Sequence, residues 1–126
     1  MKLAAFLGLS GAIGILFGLE FLLIPELALS QYGVPTEPHN QMQARYFGAT
    51  LFAFGLVNWL ARKTPDDSAR RALLLAGALG NLIGLVLSLW SRSAGLQGLL
   101  AWLGAAIYAA LLVGCLYFLL RPSRRD

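Results

Sequence analysis

The chain has 126 residues, of which 58% are hydrophobic and 13% are charged, and its formal net charge is +4. Soluble domains are roughly 45–50% apolar, so this composition excludes an ordinary soluble domain and indicates a single membrane domain over residues 1–126. The basic residues sit between apolar segments and form no continuous stripe. This excludes nucleic acid as a partner and leaves membrane lipids as the expected one.

Four apolar segments predict an all-α integral membrane protein with four transmembrane helices, at about residues 3–24, 41–61, 72–91 and 99–120. The first segment, as a helix, would be ~33 Å long, which is enough to cross a bilayer. Pro25 is expected to end it, since proline disfavours helical geometry in the residue before it. A short interfacial helix is predicted over Pro25–Gln31, and Asn40 is the expected cap of the second span.

The orientation follows from the basic residues. The turn from Arg62 to Arg71 carries four of the ten Lys and Arg residues, and with Lys2 and the three arginines after Leu120 it brings eight to one side of the membrane. Arg45 and Arg92 fall on the other side. Because cytoplasmic loops carry the excess of Lys and Arg, the sequence predicts an up-down-up-down bundle in the bacterial inner membrane, with both termini cytoplasmic. The same bias argues against four-helix transporters and fluoride channels that insert in both orientations.

Small residues recur at four-residue spacing on three predicted spans, where they allow helix backbones to approach closely. Gly14 and Gly18 lie on such a ridge in the first span, and Gly80 and Gly84 lie on one in the third. We expect these ridges to hold the bundle together, with the third span at its centre. A homo-oligomeric interface or a larger membrane complex is the alternative.

Glu20 is the only carboxylate inside a predicted span. A charged side chain at this depth costs on the order of 2 kcal/mol or more unless it is paired or reaches the interface. Arg45 and Arg92 fall at the same outer level, so the sequence predicts a Glu20–Arg45 ion pair, with Arg92 as the second choice. The alternatives are a carboxylate that binds a proton or cation in a polar cavity, and a side chain that extends into the headgroups.

Two asparagines complete the polar set. Asn81 lies near the middle of the third span and predicts an interhelical hydrogen bond, typically worth ~0.6 kcal/mol in membranes. Contact with a ligand or a permeant molecule is its alternative role. Asn58 lies one turn before Arg62 and is expected to form hydrogen bonds at a helix end.

Few other residues offer chemistry. Cys115 is the single cysteine, which excludes an enzyme that needs a dithiol and predicts a buried structural thiol. His39, with Glu37 and Glu26, is a weak metal site because no second histidine exists. The chain contains no glycine-rich phosphate loop and no pair of histidines for haem. The sequence therefore predicts no metal, no cofactor and no enzymatic activity.

From Pro25–Gly33, through Arg45-x-x-Gly48-Ala49 and Gly55, to Trp59-Leu60-Ala61-Arg62, the chain resembles small bacterial four-helix membrane proteins of unknown function. They are distantly similar to the DoxX group. The likeness covers nearly the whole chain in hydropathy and spacing, although its motifs are short. It implies a single four-helix bundle in the inner membrane and no established activity.

These observations predict a structural or accessory subunit, or a lipid-associated bundle. A small transporter or channel, with Glu20 and Asn81 on one polar path, is the first alternative. A quinone-linked or other membrane enzyme subunit is the second.

Overall fold

The structure, a computed structural model, describes residues 2–93, 95 and 98–121, without the side chains of Arg92, Leu99 and Leu100. Within these residues the fold is all-α. The helices are α1 (Leu3–Leu23), α2 (Pro25–Gln31), α3 (Pro38–Ala61), α4 (Asp67–Ser93) and α5 (Leu99–Leu120). The predicted end of the first helix before Pro25 is confirmed, and so is the short helix that follows it.

Three helices are long and apolar enough to cross a membrane: α1 over Leu3–Leu23, α4 over Asp67–Ser91 and α5 over Ala101–Leu120. The helix α3 has 24 residues, against 21 in α1. It is less apolar, because its first half carries polar residues and Arg45. The composition and these three helices together indicate a membrane protein.

Two helix boundaries differ from the prediction. α3 begins at Pro38, because proline at the first helical position needs no N–H partner and already has a helical φ angle. Asn40 is therefore not a cap, and its Nδ2 donates to the backbone carbonyl of Pro35 at 2.8 Å. α4 begins at Asp67, five residues before the apolar segment, since Asp66 Oδ1 accepts the backbone N–H of Ser68 at 2.9 Å.

α1 and α3 pack backbone against backbone. A Cβ placed on Gly11 would lie 2.7 Å from the carbonyl oxygen of Gly55, and one placed on Gly18 would lie 2.8 Å from that of Gly48. These two pairs share the seven-residue spacing of two helical turns on both helices, so the antiparallel chains stay in contact between them. Gly14 also lies in this seam, with the Cα of Gly55 2.8 Å from its Cβ position.

α4 and α5 form the second pair, which packs through side chains. The Cβ position of Gly84 falls on the ring of Tyr108, whereas among the described residues no atom beyond its own stretch of α4 lies within 4 Å of the Cβ position of Gly80. The close contact on α4 therefore passes through Gly84 and not through Gly80. The sequence predicted that the third span, α4, lies at the centre of the bundle. Instead α1 is the more buried helix: 39% of its apolar stretch is buried, against 11% for that of α4.

Contacts between the two pairs are sparse and concentrate at the two ends. At one end, Phe6 of α1 lies in a buried cluster with Leu74 and Cys115, and its ring occupies the Cβ position of Gly114. At the other end, the backbone of Gln31 at the end of α2 meets Gly98, just before α5. The pairs therefore touch at both ends and leave space between them.

Candidate functional site

A cavity of about 90 Å³ lies between the two helix pairs. Its walls are mainly aromatic and aliphatic side chains of α1, α3 and α5, with Phe17, Phe21, Phe47 and Phe54 among them. The cavity is partly open at the surface of the bundle, so it is not a sealed void.

Four polar side chains reach the cavity from four different parts of the fold: Ser10, Tyr32, Asn81 and Tyr108. Tyr32 and Tyr108 add hydroxyl groups to an otherwise aromatic wall, and Ser10 and Asn81 stand on α1 and α4. Each can donate a hydrogen bond, and each can accept one. The arrangement therefore suits an apolar molecule that carries a hydrogen-bonding group.

Tyr32 follows α2 and lies at the end of the cavity near Gly98. The way in which α2 ends holds it there. Gly33 has a φ angle of 73°, and the N–H of Val34 donates back to the carbonyl of Leu29 at 3.0 Å, which closes the helix end. The ring of Tyr32 packs on Phe21, with 5.5 Å between the centroids. Its hydroxyl oxygen lies 3.2 Å from the Cβ position of Gly104 on α5, so a side chain there would crowd the phenol.

Tyr108 reaches the cavity because Gly84 gives its ring room on the facing helix. Any side chain at position 84 would push this ring toward the cavity. The sequence pattern singled out Gly84, but it did not indicate which residue would fill the space beside it. A glycine on one helix opposite an aromatic residue on the next is the signal that could have found Tyr108.

Asn81 donates through Nδ2 to the carbonyl of Gly77 at 2.7 Å, one turn earlier on its own helix. Asn81 also interacts through its side chain with Cys115 on α5, in line with the interhelical hydrogen bond predicted from the sequence. The Cys115 thiol packs against the same turn, 3.0 Å from the Cβ position of Gly77. Cys115 is buried, as the sequence predicted. Asn81 lines the cavity, so contact between Asn81 and a ligand stays a prediction.

Glu20 is half-buried and lies outside the wall of the cavity. Burial raises the pKa of the Tyr32 phenol to about 12, and the nearby Tyr108 and Glu20 act in the same direction. Glu20 thus lies near Tyr32. This position brings it close to the polar part of the site without making it part of the cavity surface.

The predicted ion pair is not formed. Arg45 is exposed, and no ion pair joins it to Glu20 among the residues that the structure describes. Arg45 lies near the start of α3, so its long side chain can extend away from Glu20 toward the end of the bundle. The second choice, Arg92, has a side chain that lies outside the described residues.

Asn58 lies in the last turn of α3 and is buried, with 4% of its surface exposed. It lies three positions after Gly55, on the face of α3 that packs against α1. Within the described part of the chain, no group of three His, Cys, Asp or Glu residues could hold a metal ion. Glu26 instead accepts a hydrogen bond from Gln41 at 3.3 Å.

A family model, described as a domain of unknown function (DUF8292), matches residues 9–125. The chain belongs to this family. No curated protein and no solved structure matches it. The match covers all five helices except the first turns of α1, so the cavity and the glycine seam lie within the family domain.

Proposed function

We propose that this protein is a four-span protein of the bacterial inner membrane, with both termini in the cytoplasm, and that it holds an apolar molecule with a hydrogen-bonding end group between its helix pairs. It acts as an accessory or lipid-associated component and not as an enzyme. The observation that carries the proposal is the aromatic cavity of about 90 Å³, which four polar side chains reach.

The fourth span in this proposal is α3. Two features support it: α3 runs antiparallel to α1 along the seam of Gly11, Gly18, Gly48 and Gly55, and its 24 residues exceed the 21 of α1 and the 22 of α5. A helix that packs along a spanning helix over two turns shares its depth in the membrane. The polar first turns of α3 then lie among the headgroups, and the basic turn after Ala61 lies in the cytoplasm.

The chemistry of the cavity favours a lipid-like occupant. Aromatic rings and aliphatic side chains form most of the wall, while Tyr32 stands at the outer end near Glu20. A short segment of an acyl or isoprenoid chain would contact the apolar wall, and a hydroxyl or carbonyl group on that segment would bond to Tyr32 or Tyr108. Such molecules are abundant in the membrane itself, so entry between the sparsely packed helix pairs needs no aqueous path.

The transporter alternative requires Glu20 and Asn81 on one polar path. Asn81 lies in the cavity wall and Glu20 does not, which favours the binding role over transport. The distant resemblance to the DoxX group adds no activity and stays a prediction. A homo-oligomer, a larger membrane complex and a quinone-linked enzyme subunit stay predictions as well.

The test is to fill the cavity and to identify what co-purifies. The protein and its Leu111→Trp variant are purified from native membranes in a mild detergent, and bound lipids and small molecules are quantified by mass spectrometry. Leu111 lines the cavity, so tryptophan there should displace the occupant. Val113→Trp is the matched control, since Val113 lies on the same helix and is 66% exposed.

An apolar species that is retained by the wild-type protein and by Val113→Trp, and lost from Leu111→Trp, supports the proposal. The same species at the same amount in all three samples contradicts it. A flux of protons or cations in liposomes that Asn81→Leu abolishes would favour the transporter instead.

A further inference from the structure

A second groove lies on the outside of the bundle, at the end opposite to Tyr32. It is shallow and open, and it runs along the first half of α1, where Ala4, Ala5, Gly8 and Ala12 form a surface of small residues beside Leu9. Arg62 and Lys63, which follow α3, close one end of it. The groove shares no lining residue with the cavity between the helix pairs.

Arg62 is fixed in place by its own helix end. Its Nη1 donates to the carbonyl of Trp59 at 2.5 Å, and its guanidinium carbon lies 3.9 Å from the centre of the Trp59 ring. Its Cδ also lies 3.4 Å from the Cβ position of Gly8, so a larger residue there would push the arginine away. The guanidinium is therefore positioned at the mouth of the groove before any ligand arrives.

The charges at this end are unbalanced. Neither Arg62 nor Lys63 forms an ion pair within the part of the chain that the structure describes. A planar guanidinium beside an ammonium group suits a phosphate, because the first can donate two parallel hydrogen bonds and the second adds a compact positive charge. The small residues beyond them leave an apolar surface that an acyl chain can cover.

We propose that this groove is a binding site for one acidic phospholipid of the surrounding membrane, with its phosphate on Arg62 and Lys63 and one acyl chain along Ala4, Ala5 and Gly8. Basic pockets at the cytoplasmic ends of membrane helices attract anionic lipids in this way, with about 1 kcal/mol for each Lys or Arg. Removal of one basic residue should therefore lower the preference for an acidic lipid by about fivefold. The proposal requires only that α1 crosses the membrane, so it is independent of the contents of the cavity.

Trp59 provides the readout, since it lines the groove. In a Trp90→Phe, Trp102→Phe background it is the only remaining tryptophan of the three. The protein is reconstituted in bilayers of phosphatidylcholine with a fixed fraction of phosphatidylglycerol, and either one lipid or the other carries brominated acyl chains that quench tryptophan fluorescence. We expect brominated phosphatidylglycerol to quench Trp59 several times more strongly than brominated phosphatidylcholine, and high salt to reduce the difference.

Further variants separate the site from general attraction to the membrane surface. Arg62→Gln with Lys63→Gln should abolish the preference, whereas Arg70→Gln with Arg71→Gln, which removes the same charge from the start of α4, should keep it. Ala5→Phe retains both charges and should reduce quenching by blocking the groove, while Leu16→Phe, at a position 68% exposed elsewhere on α1, should not. Equal quenching by the two lipids in the unsubstituted loop, or equal loss in the two double variants, overturns the proposal.

Discussion

Gly18 of α1 and Gly48 of α3 lie against each other through their backbones: the Cβ position of Gly48 is 2.6 Å from the carbonyl oxygen of Gly18, and that of Gly18 is 2.8 Å from the carbonyl oxygen of Gly48. Each glycine therefore excludes a side chain on the other. In a membrane, where lipid is as apolar as leucine, such close approach supplies the packing that holds two helices together. The contact fixes the face that α3 presents to α1.

This contact predicts that Gly18→Ala is destabilising, by about 1–3 kcal/mol, because the added methyl group meets backbone atoms that cannot rotate away. Gly80→Ala is the matched control. Among the described residues, no atom beyond its own stretch of α4 lies within 4 Å of the Cβ position of Gly80. It should be neutral or slightly stabilising, as alanine favours a helix over glycine. Thermal unfolding of both variants in the same detergent measures the difference. Equal midpoints would contradict the seam.

The exposed position of Arg45 predicts that Glu20 and Arg45 act independently. Glu20→Gln and Arg45→Gln should each have a small effect on stability, and the double variant should show their sum. A double-mutant cycle measured by thermal unfolding tests this. A coupling energy above about 0.5 kcal/mol would instead restore the ion pair expected from the sequence.

Tyr32 predicts a loss of stability in strongly alkaline solution. Its pKa is raised from 10.0 to about 12 in the folded chain, first by burial and then by Tyr108 and Glu20. Below pH 10.0 the phenol is protonated in both states, so Tyr32 makes its full contribution to the free energy of unfolding. As the pH rises from 10.0 towards about 12, the unfolded chain binds fewer protons than the folded one, so the free energy of unfolding falls.

Absorbance of tyrosinate as a function of pH measures this directly. Tyr32→Phe should remove one late-titrating phenol and so reduce the late component, and Glu20→Gln should lower the pKa of Tyr32 by removing a nearby negative charge. Tyr46→Phe, at a position 69% exposed, is the control and should leave the late component in place. A titration that Tyr32→Phe does not change would show that this phenol is not buried as described.

The four-span arrangement predicts that position 36 lies outside the cell membrane and position 68 inside. In a Cys115→Ser background, Thr36→Cys should react with an impermeant thiol reagent on intact cells, and Ser68→Cys should react only after the cells are opened. Both positions are exposed, so access of the reagent depends on the side of the membrane alone. Reaction of both variants on intact cells would show that α3 does not cross.

The sequence by itself predicted the helices. Apolar segments longer than a bilayer is thick, Pro25 after the first of them and the charged turn at Arg62 fix where helices start and stop, because these are local effects of backbone geometry and hydration. The predicted fifth helix, over 99–120, has those same bounds in the structure. The polar turns at the starts of α3 and α4 were missed, since a helix continues past its apolar part where a proline or an aspartate supports its first turn.

Only the tertiary structure decided which faces meet. Four-residue spacing marked Gly80 as strongly as Gly84, yet one faces open space and the other faces Tyr108, because the rotation of a helix about its axis depends on every neighbour at once. Likewise, the folded chain leaves the Arg45 side chain exposed, and it brings Tyr32 and Tyr108, which are distant in sequence, to one cavity. Spacing along a chain determines which residues share a helix face, whereas only the packed backbones determine what that face contacts.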